Sequence, residues 1–554
     1  MTIIKSIFIF LFSACLCYSQ TKSFQNGVVS SSQTLASQVG VEIMKRGGNA
    51  IDAAVGVGFA LAVVYPQAGN IGGGGFMVIH LSDGRNTSID YREKAPLLSN
   101  RDMYLNNSGE IIQGLSTTGN MAAGVPGSVS GLLYALENYG KLKSSDVMDY
   151  AINIADTGFY INETFANLLN QYQNDFSKFP GTMKIFGGNF KAGDKLVQKD
   201  LANTLRMIRD SGSKGFYERE IASLIINDME RSNGIITYED LIQYKAKERA
   251  VLTGTYRGYE IISMGPPSSG GISLIYLLNI LENYDLKDNG YGSYKNIQLM
   301  TEAMRRVYAD RSEFMGDADF VSVPVSILTS KFYAARRMDD YSDSSASKSI
   351  DIRHGDAYYK ESDQTTHYSV ADKDGNLVSV TTTLNDVFGN KVVVDGAGFF
   401  LNNEMDDFVS KPGVPNLYGL IGSDANSIHP GKRMLSSMTP TLVFKEGKPF
   451  LVIGSPGGGR IITTVLQALL NIIDYDMSLT DAIDAKRFHH QWYPDEIQVE
   501  KNFADKNTIS SLKNTGYSIK EIPDFGRVDA IMFLEDGSMI GHSDRRGYGA
   551  VQGF

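Results

Sequence analysis

Residues 361–384 constrain the fold more strongly than any other part of the chain. Two runs rich in β-branched residues, TTHYSV at 365–370 and LVSVTTTL at 377–384, flank the turn cluster ADKDGN, and this pattern predicts a β-hairpin. The hairpin opens with Thr365. A threonine hydroxyl becomes a useful nucleophile when a base lies beside it, and a free N-terminal amine on the same residue can be that base. Thr365 gains such an amine only if the bond after Gln364 is cut. Threonine also simply favours strands, so the hairpin alone leaves the question open.

The N-terminus, residues 1–19, predicts a secretory signal peptide. A cationic start precedes an apolar run of 11 residues, 7–17, and then small and polar residues. This run is too short to span a bilayer, and cleavage after Ser19 predicts a periplasmic or secreted protein. A lipoprotein-type site at 12–15 is the alternative. Both cysteines, Cys15 and Cys17, lie in this segment, so the mature chain is expected to have neither a disulfide nor a cysteine nucleophile.

The remainder has the composition of a folded protein. Of 554 residues, 42% are hydrophobic and 21% are charged, and a net charge of −10 without a basic block argues against a nucleic-acid surface. Helical patterns and paired strands occur without strict β-α-β alternation, which predicts an α+β fold of stacked layers. Short strands are predicted at 391–394 and 398–401. The polar segment 339–363 is predicted to be exposed and mobile, a natural place for a chain break.

Several short motifs follow one another along the chain. They are GNIGGGGFM at 69–77, YREKAP at 91–96, GVPG at 124–127, QTTHYSV at 364–370, TLN at 383–385, NNEMDDF at 402–408, PGVPNLY at 412–418, RMLSSMTPT at 433–441 and GSPGGGR at 454–460. Each is weakly specific alone. In this order, from about residue 27 to the C-terminus, the set resembles the γ-glutamyltranspeptidase family. The resemblance implies a four-layer αββα sandwich of the N-terminal-nucleophile hydrolase type.

The resemblance also implies that the protein cuts its own backbone. Cleavage of the Gln364–Thr365 bond would leave a large subunit, 20–364, and a small subunit, 365–554, which together form one intertwined domain. Thr365, rather than the adjacent Thr366, is then the nucleophile that attacks the γ-carbonyl of a glutamyl amide. Its new α-amine, with a reference pKa near ~7.7–8.0, can accept the hydroxyl proton at neutral pH.

The second strand of the hairpin is expected to support the nucleophile. Its two-residue period places Thr381, Thr383 and Asn385 on one face. By resemblance, Thr383 hydrogen-bonds to Thr365 and Asn385 contacts the substrate, whereas Thr381 is expected to be an ordinary strand residue.

A γ-glutamyl group carries an α-carboxylate and an α-ammonium, so its site needs both a cation and an anion. By resemblance, Arg92 binds the carboxylate, for which the planar guanidinium group is suited. Asp407 binds the ammonium with the help of Glu404. Two carboxyls near one ammonium either bind it more strongly or leave one of them protonated. Further substrate contacts are implied for Ser436 and Ser437.

Two other motifs are expected to complete the site. Negative charge that develops on the substrate oxygen is usually stabilised by backbone N–H groups, which Gly457 and Gly458 can present just before a predicted helix; the same glycines also suit a tight turn. Tyr418 matches the lid loop of the family, and an ordinary loop tyrosine is the alternative.

No metal or cofactor is expected. The seven histidines show no ligand spacing, and the adjacent His489 and His490 predict packing rather than a metal pair.

These expectations describe a γ-glutamyl transferase and hydrolase. Glutathione is the expected donor, and water, amino acids or short peptides are the expected acceptors. A related acylase for glutaryl or cephalosporin side chains is the first alternative, but it needs no ammonium site, and Asn385, Glu404 and Asp407 together argue against it. An inactive binding protein on the same fold is the second alternative, because a fold does not determine a function.

Overall fold

Two stacked β-sheets form the centre of the molecule. The computed structural model describes residues 22–354, 365–411 and 423–554; the predicted signal peptide, Gln364 and Tyr418 lie outside these residues. In the described part, two seven-stranded sheets pack face to face, and helices cover their outer faces. The predicted αββα sandwich is therefore confirmed.

The elements are numbered in chain order. The strands are β1 (Ser23–Phe24), β2 (Gly27–Ser31), β3 (Gly74–His80), β4 (Asn86–Asp90), β5 (Phe159–Tyr160), β6 (Lys195–Leu196), β7 (Lys247–Arg249), β8 (Leu252–Tyr256), β9 (Tyr259–Ser263), β10 (Thr366–Asp372), β11 (Leu377–Thr383), β12 (Thr441–Lys445), β13 (Lys448–Gly454), β14 (Phe488–His489), β15 (Ile497–Glu500), β16 (Ile519–Ile522), β17 (Asp529–Phe533), β18 (Met539–Ser543) and β19 (Ala550–Gly553). The helices are α1 (Thr34–Lys45), α2 (Ala50–Val64), α3 (Ser128–Tyr139), α4 (Ser144–Thr157), α5 (Glu163–Gln171), α6 (Gln173–Phe176), α7 (Pro180–Phe186), α8 (Lys199–Ser211), α9 (Lys214–Tyr217), α10 (Glu220–Arg231), α11 (Tyr238–Gln243), α12 (Gly270–Leu281), α13 (Leu286–Asn289), α14 (Tyr294–Phe314), α15 (Val325–Leu328), α16 (Lys331–Arg336), α17 (Arg460–Ile473), α18 (Leu479–Asp484) and α19 (Lys506–Asn514). Short 3₁₀ helices lie at Asn120–Ala122, Glu404–Asp407 and Asp424–Asn426. Within the described ranges, no helix has both the length and the apolar composition needed to cross a membrane.

The order of strands explains how the layers form. The first sheet runs β1-β18-β17-β13-β12-β9-β8, and the second runs β19-β2-β10-β11-β3-β4-β7. Helix α2, which is buried along its whole length, lies against β10 and β11 of the second sheet. Such an all-apolar helix must be enclosed on every side, and α1, α3 and α4 pack around it. Helices α12, α14 and α17 form the layer on the first sheet.

The predicted hairpin is β10 and β11, at the centre of the second sheet. His367 pairs with Thr381, and successive residues of β10 point to opposite faces. Tyr368 points toward α2, where its hydroxyl lies 2.8 Å from the position of a Cβ built on Gly58. His367 points toward the first sheet, where a Cβ built on Gly454 would lie 2.3 Å from the imidazole ring. Glycine at position 454 therefore allows the two sheets to approach beneath the start of β10.

The prediction of strands at 391–394 and 398–401 is wrong. These residues are joined only by an isolated bridge between Val393 and Phe400. Gly396 and Gly398 adopt positive φ values of 81° and 80°, so the chain turns before a ladder can extend.

The described part of the polar segment, 339–354, is mostly exposed or half-buried, as predicted, but it is anchored at Ser349 and Ile352, which are buried. Ser349 is fully buried, and its N–H donates to Asp495 at 2.7 Å. The indole of Trp492 donates to the carbonyls of Ser349 and Ile352 at 2.8 and 2.9 Å. Partners from a distant segment, Trp492 and Asp495, therefore satisfy the polar groups at these two anchor points, while most of the segment keeps its solvent contact.

Candidate active site

Thr365 stands directly before β10 and is buried, with 4% of its surface exposed. The two-residue period places it on the same face as His367, toward the first sheet, and places Thr366 on the opposite face. There the Thr366 hydroxyl hydrogen-bonds to that of Ser32 at 2.9 Å. The two adjacent threonines therefore lie on opposite faces of the sheet and have different surroundings.

Thr383 is the last residue of β11 and is the partner of Thr365 across the hairpin. Thr366 pairs with Thr382, and continuing this antiparallel register places Thr365 opposite Thr383. The carbonyl of Thr383 accepts a hydrogen bond from the Asn70 side chain at 2.8 Å. A Cβ on Gly73 would lie 2.1 Å from that carbonyl oxygen, so the glycine-rich motif allows close backbone approach at this point.

Asn385 does not continue the strand face as predicted. It lies two residues beyond β11 with a φ of 74°, a left-handed conformation that ends the alternation of the strand. Its N–H donates to the Thr383 hydroxyl oxygen at 2.8 Å, and its side-chain amide donates to the carbonyl of Asn403 at 3.0 Å. Asn385 therefore links the end of the β10–β11 hairpin to the motif at 402–408.

Arg92 follows β4 and is the centre of a buried ionic cluster. Its Nη1 lies 2.6 Å from Glu404 Oε2 and 3.6 Å from Glu93 Oε2, and its Nη2 donates to Asp407. Nη2 also donates to the Leu435 carbonyl at 3.0 Å. The structure thus brings together the predicted binders of the α-carboxylate and the α-ammonium. It adds Glu93, which the sequence analysis did not select although it is adjacent to Arg92 in the YREKAP motif.

Three carboxyl groups face this one guanidinium group, so ionising all of them is costly. Burial raises the pKa of Glu93 to about 8, although Arg92 lowers it. Burial also raises the pKa of Glu404 well above its ordinary value; Arg92 opposes this shift, and Glu93 and Asp407 add to it. The cluster therefore retains a proton at neutral pH. These directions favour the alternative in which Glu404 is protonated beside Asp407.

Asn402 explains why distant motifs meet at this cluster. Its side chain donates to the carbonyls of Gly72 and Gly124 at 2.9 and 2.8 Å, and its Oδ1 accepts from the N–H of Glu404 at 3.0 Å. One buried amide therefore joins three of the sequence motifs and fixes the short helix that carries Glu404 and Asp407.

Ser436 and Ser437 come directly after Leu435, whose carbonyl accepts a hydrogen bond from Arg92. The Ser437 hydroxyl oxygen accepts a hydrogen bond from Arg311 at 3.2 Å, and that of Ser436 accepts one from the Met438 N–H at 3.3 Å. Both side chains are buried, and they follow directly in the chain on the residue whose carbonyl Arg92 contacts.

Gly457 and Gly458 connect β13 to α17. Their φ values are 130° and 54°, conformations that favour glycine. Their carbonyls accept from the N–H groups of Arg460 and Ile461 at 3.1 and 2.8 Å and so begin the helix. Within the described ranges, the N–H groups of the two glycines have no hydrogen-bond partner, as oxyanion donors require. The tight-turn and donor interpretations are therefore compatible.

His489 and His490 lie in the core. Burial lowers the pKa of both imidazoles, that of His490 to about 4. His489 hydrogen-bonds to Thr463 at 2.8 Å, and His490 lies 3.4 Å from Asp495. These contacts fit the predicted packing role. The described part of the chain contains no group of three or more His, Cys, Asp or Glu side chains placed to hold a metal ion.

An αββα sandwich of this kind is the fold of the N-terminal-nucleophile hydrolases. The sequence model of the γ-glutamyltranspeptidase family matches residues 36–554, and the chain belongs to that family.

Similar proteins agree with this assignment. The glutathione hydrolase proenzyme of Escherichia coli (strain K12) is 49% identical over 526 residues, which cover 94% of this chain and 90% of that protein. The Helicobacter pylori γ-glutamyltranspeptidase structure is 50% identical and covers 59% of this chain and 94% of its own, with a TM-score of 0.58. A cephalosporin acylase from Bacillus halodurans is 25% identical and covers 96% of this chain and 97% of its own, with a TM-score of 0.85.

Proposed function

We propose that this protein is a γ-glutamyl hydrolase and transferase that matures by cutting its own backbone before Thr365. One observation carries the proposal: Thr365 stands opposite Thr383 at the edge of the sandwich where the buried Arg92 cluster lies. Thr383 pairs with Gly74, and a Cβ on Gly74 would lie 2.5 Å from Glu93. The nucleophile and the ionic cluster are thus separated by one strand.

The reaction follows from this arrangement. The Thr365 hydroxyl attacks the γ-carbonyl of the donor while the Thr365 α-amine takes its proton. The N–H groups of Gly457 and Gly458 stabilise the oxyanion. The tetrahedral intermediate then expels the amine of the donor, which receives the proton, and a γ-glutamyl ester remains on Thr365. Water or a second amine attacks this ester, completing hydrolysis or transfer and restoring the free hydroxyl.

The ionic cluster selects the donor. Arg92 binds the α-carboxylate with help from Ser436 and Ser437, and Asp407 binds the α-ammonium. Glu404 and Asn385 complete the ammonium site. Tyr418, which lies outside the described residues, is a further substrate contact implied by the sequence resemblance. Glutathione is the donor, and water, amino acids or short peptides are the acceptors.

The two subunits, 20–364 and 365–554, form one intertwined unit. The second sheet takes β2, β3, β4 and β7 from the large subunit and β10, β11 and β19 from the small subunit. The first sheet is divided similarly, so neither subunit can bury its strands without the other. A signal peptide at 1–19 directs the precursor to the periplasm or the exterior.

The acylase alternative is the second candidate, because an acylase shares this fold over nearly the full chain. An acylase for glutaryl groups does not need to bind an α-ammonium. The three buried carboxyls around Arg92 favour a γ-glutamyl donor over a glutaryl donor.

N-terminal sequencing tests the proposal. The wild-type protein should yield two chains, beginning at Gln20 and Thr365, and should release the chromophore from a γ-glutamyl anilide. Thr365→Ala should remain one long chain without activity. Thr366→Ser is the matched control, because it keeps the hydroxyl that bonds to Ser32, and it should be processed. A wild-type protein that is active as a single uncut chain would refute the mechanism.

A further inference from the structure

The side chain of Asn70 joins three segments at the end of β11. Asn70 lies in the connection between α2 and β3 and is buried. Its Nδ2 donates to the carbonyls of Thr383 and Ala68 at 2.8 and 2.9 Å. Its Oδ1 accepts from the N–H of Gly73 at 2.8 Å and from the hydroxyl of Ser128 at 2.7 Å. These four bonds occupy the two donor and two acceptor sites of a primary amide.

The Asn70 amide connects two neighbouring backbones. β3 begins at Gly74, which pairs with Thr383. The preceding Gly73 N–H donates to Asn70, and Asn70 in turn donates to the Thr383 carbonyl. The side chain therefore acts as an additional peptide unit between the start of β3 and the end of β11, and the place of the Thr383 backbone depends on how this amide is held.

Ser128 determines which way the amide faces. It is the first residue of α3 and is buried. The N–H groups of Gly127 and Ser128 donate to the Gly73 carbonyl at 2.7 and 2.9 Å, so backbone bonds attach the start of α3 to the same segment. In the reversed orientation, the NH₂ group of Asn70 would face the Gly73 N–H and its oxygen would face the Thr383 carbonyl. The NH₂ group must therefore face Thr383.

The carbonyl that Asn70 holds belongs to a residue of the proposed site. Thr383 stands opposite Thr365, and its hydroxyl oxygen accepts a hydrogen bond from the Asn385 N–H at 2.8 Å. A displacement of about 1 Å at a catalytic group can cost roughly 10²-fold in rate. We propose that Asn70, oriented by Ser128, is a positioning residue that holds Thr383 beside the nucleophile for both self-cleavage and turnover. This inference rests on the proposed function.

Asn70→Asp keeps the shape of the side chain and removes both N–H donors, so it gives the first test. An ionised carboxylate sets an oxygen atom against the Thr383 carbonyl. A protonated carboxyl group can instead donate to that carbonyl through its O–H and still accept from Gly73 and Ser128. All four hydrogen-bond partners of Asn70 are uncharged, and burial among them raises the pKa of a carboxyl group at this position.

The kcat of Asn70→Asp divided by that of the wild type should therefore depend on pH. At about pH 8.5 this ratio should lie roughly 10²-fold below one, and it should rise about tenfold or more as the pH falls to about 5.5. Glu93 titrates in both proteins, so division by the wild-type value corrects for it. The rate of self-cleavage, followed on gels, should show the same rise. A ratio that does not vary with pH would overturn the inference.

Ser128→Ala gives the second test, because it removes one of the two donors that orient the amide. Its kcat should fall by about 2- to 12-fold, as expected for the loss of one ordinary hydrogen bond. Ser130→Ala is the matched control. Ser130 lies two residues further along α3, and its hydroxyl oxygen accepts from the Ala246 N–H at 2.9 Å and makes no bond to Asn70. Its removal should leave kcat within about twofold.

Binding of free glutamate distinguishes positioning from a general disturbance of the site. Glutamate carries the α-carboxylate and α-ammonium of the donor but has no γ-amide to cleave, so its inhibition constant reports on the Arg92 cluster. This constant should change by less than about threefold in Asn70→Asp and Ser128→Ala while kcat falls. Parallel losses of glutamate binding and kcat would contradict a positioning role.

The outcomes separate the two proposals. If the wild-type protein neither cleaves itself nor turns over a γ-glutamyl anilide, the proposed function fails. If it does both, and the Asn70→Asp ratio is independent of pH or Ser128→Ala has the kcat of Ser130→Ala, only the positioning role fails. Should Asn70→Asp not fold, the comparison of Ser128→Ala with Ser130→Ala decides the matter.

Discussion

Neutralising Glu404 and Asp407, two of the three acids of the Arg92 cluster, one at a time should have unequal effects. Burial raises the pKa of Glu404 well above its ordinary value, and the neighbouring carboxyls add to this shift while Arg92 opposes it; this direction favours the neutral form of Glu404. Glu404→Gln replaces one neutral group with another of nearly the same shape. Asp407→Asn, by contrast, removes the charge that is proposed to bind the donor α-ammonium.

The size of each effect follows from the contacts. A charge-assisted hydrogen bond is worth about 1.5–3 kcal/mol, or roughly 10- to 150-fold in kcat/KM, and this is the expected loss for Asp407→Asn on γ-glutamyl donors. Glu404→Gln should lose less than about threefold, which is roughly 0.6 kcal/mol. In Asp407→Asn, Glu404 is freed from a like charge and can ionise to replace it in part. The double variant should therefore lose more than the sum of the two single losses.

Matched γ-glutamyl and glutaryl anilides provide the assay. The glutaryl donor has no ammonium, so the wild-type protein should use it poorly and Asp407→Asn should hardly reduce that rate. Two results would refute the reasoning. Equal losses for Glu404→Gln and Asp407→Asn would mean that Glu404 is ionised. Equal wild-type rates on both donors would mean that the ammonium is not recognised, and the acylase alternative would replace the present proposal.

Three further predictions concern the surroundings of the site. Thr383→Ala should fold but lose roughly 10²–10⁴-fold in kcat, and a gel time course should show slower self-cleavage. An unchanged kcat together with an unchanged cleavage rate would remove Thr383 from the site. The pKa of Glu93 rises from 4.5 to about 8 in the folded protein, so the stability contributed by protonated Glu93 is complete below about pH 4.5 and is lost as the pH rises through 8. Between pH 5 and pH 8, the Tm of the wild type should therefore fall more than the Tm of Glu93→Gln. Parallel curves of Tm against pH would contradict this pKa. Gly454→Ala forces a methyl group against His367, and overpacking of about 1–3 kcal/mol should lower the Tm; an unchanged Tm would show that the sheets can separate without cost.

Local patterns in the sequence determined the central hairpin. The alternation of residues in β10 and β11 and the Asp-Gly turn between them are short-range features, and strand pairing follows directly from them. The ordered motifs likewise indicated Thr365, Arg92 and Asp407 as members of one site. The strands predicted at 391–394 and 398–401 failed because two glycines turn the chain there, which composition alone does not reveal.

Only the tertiary structure decided how the charged groups share their protons. Arg92 and Asp407 are separated by more than half the chain, and their motifs meet at the glycine run, where Asn402 donates to the Gly72 carbonyl and Gly74 lies directly against Glu93 and the Tyr91 carbonyl. The sequence left open whether Glu404 is charged and did not select Glu93. Both questions depend on burial and on the number of carboxyls around one guanidinium group, because a pKa is set by the local solvation and the neighbouring charges of the folded chain rather than by the order of its residues.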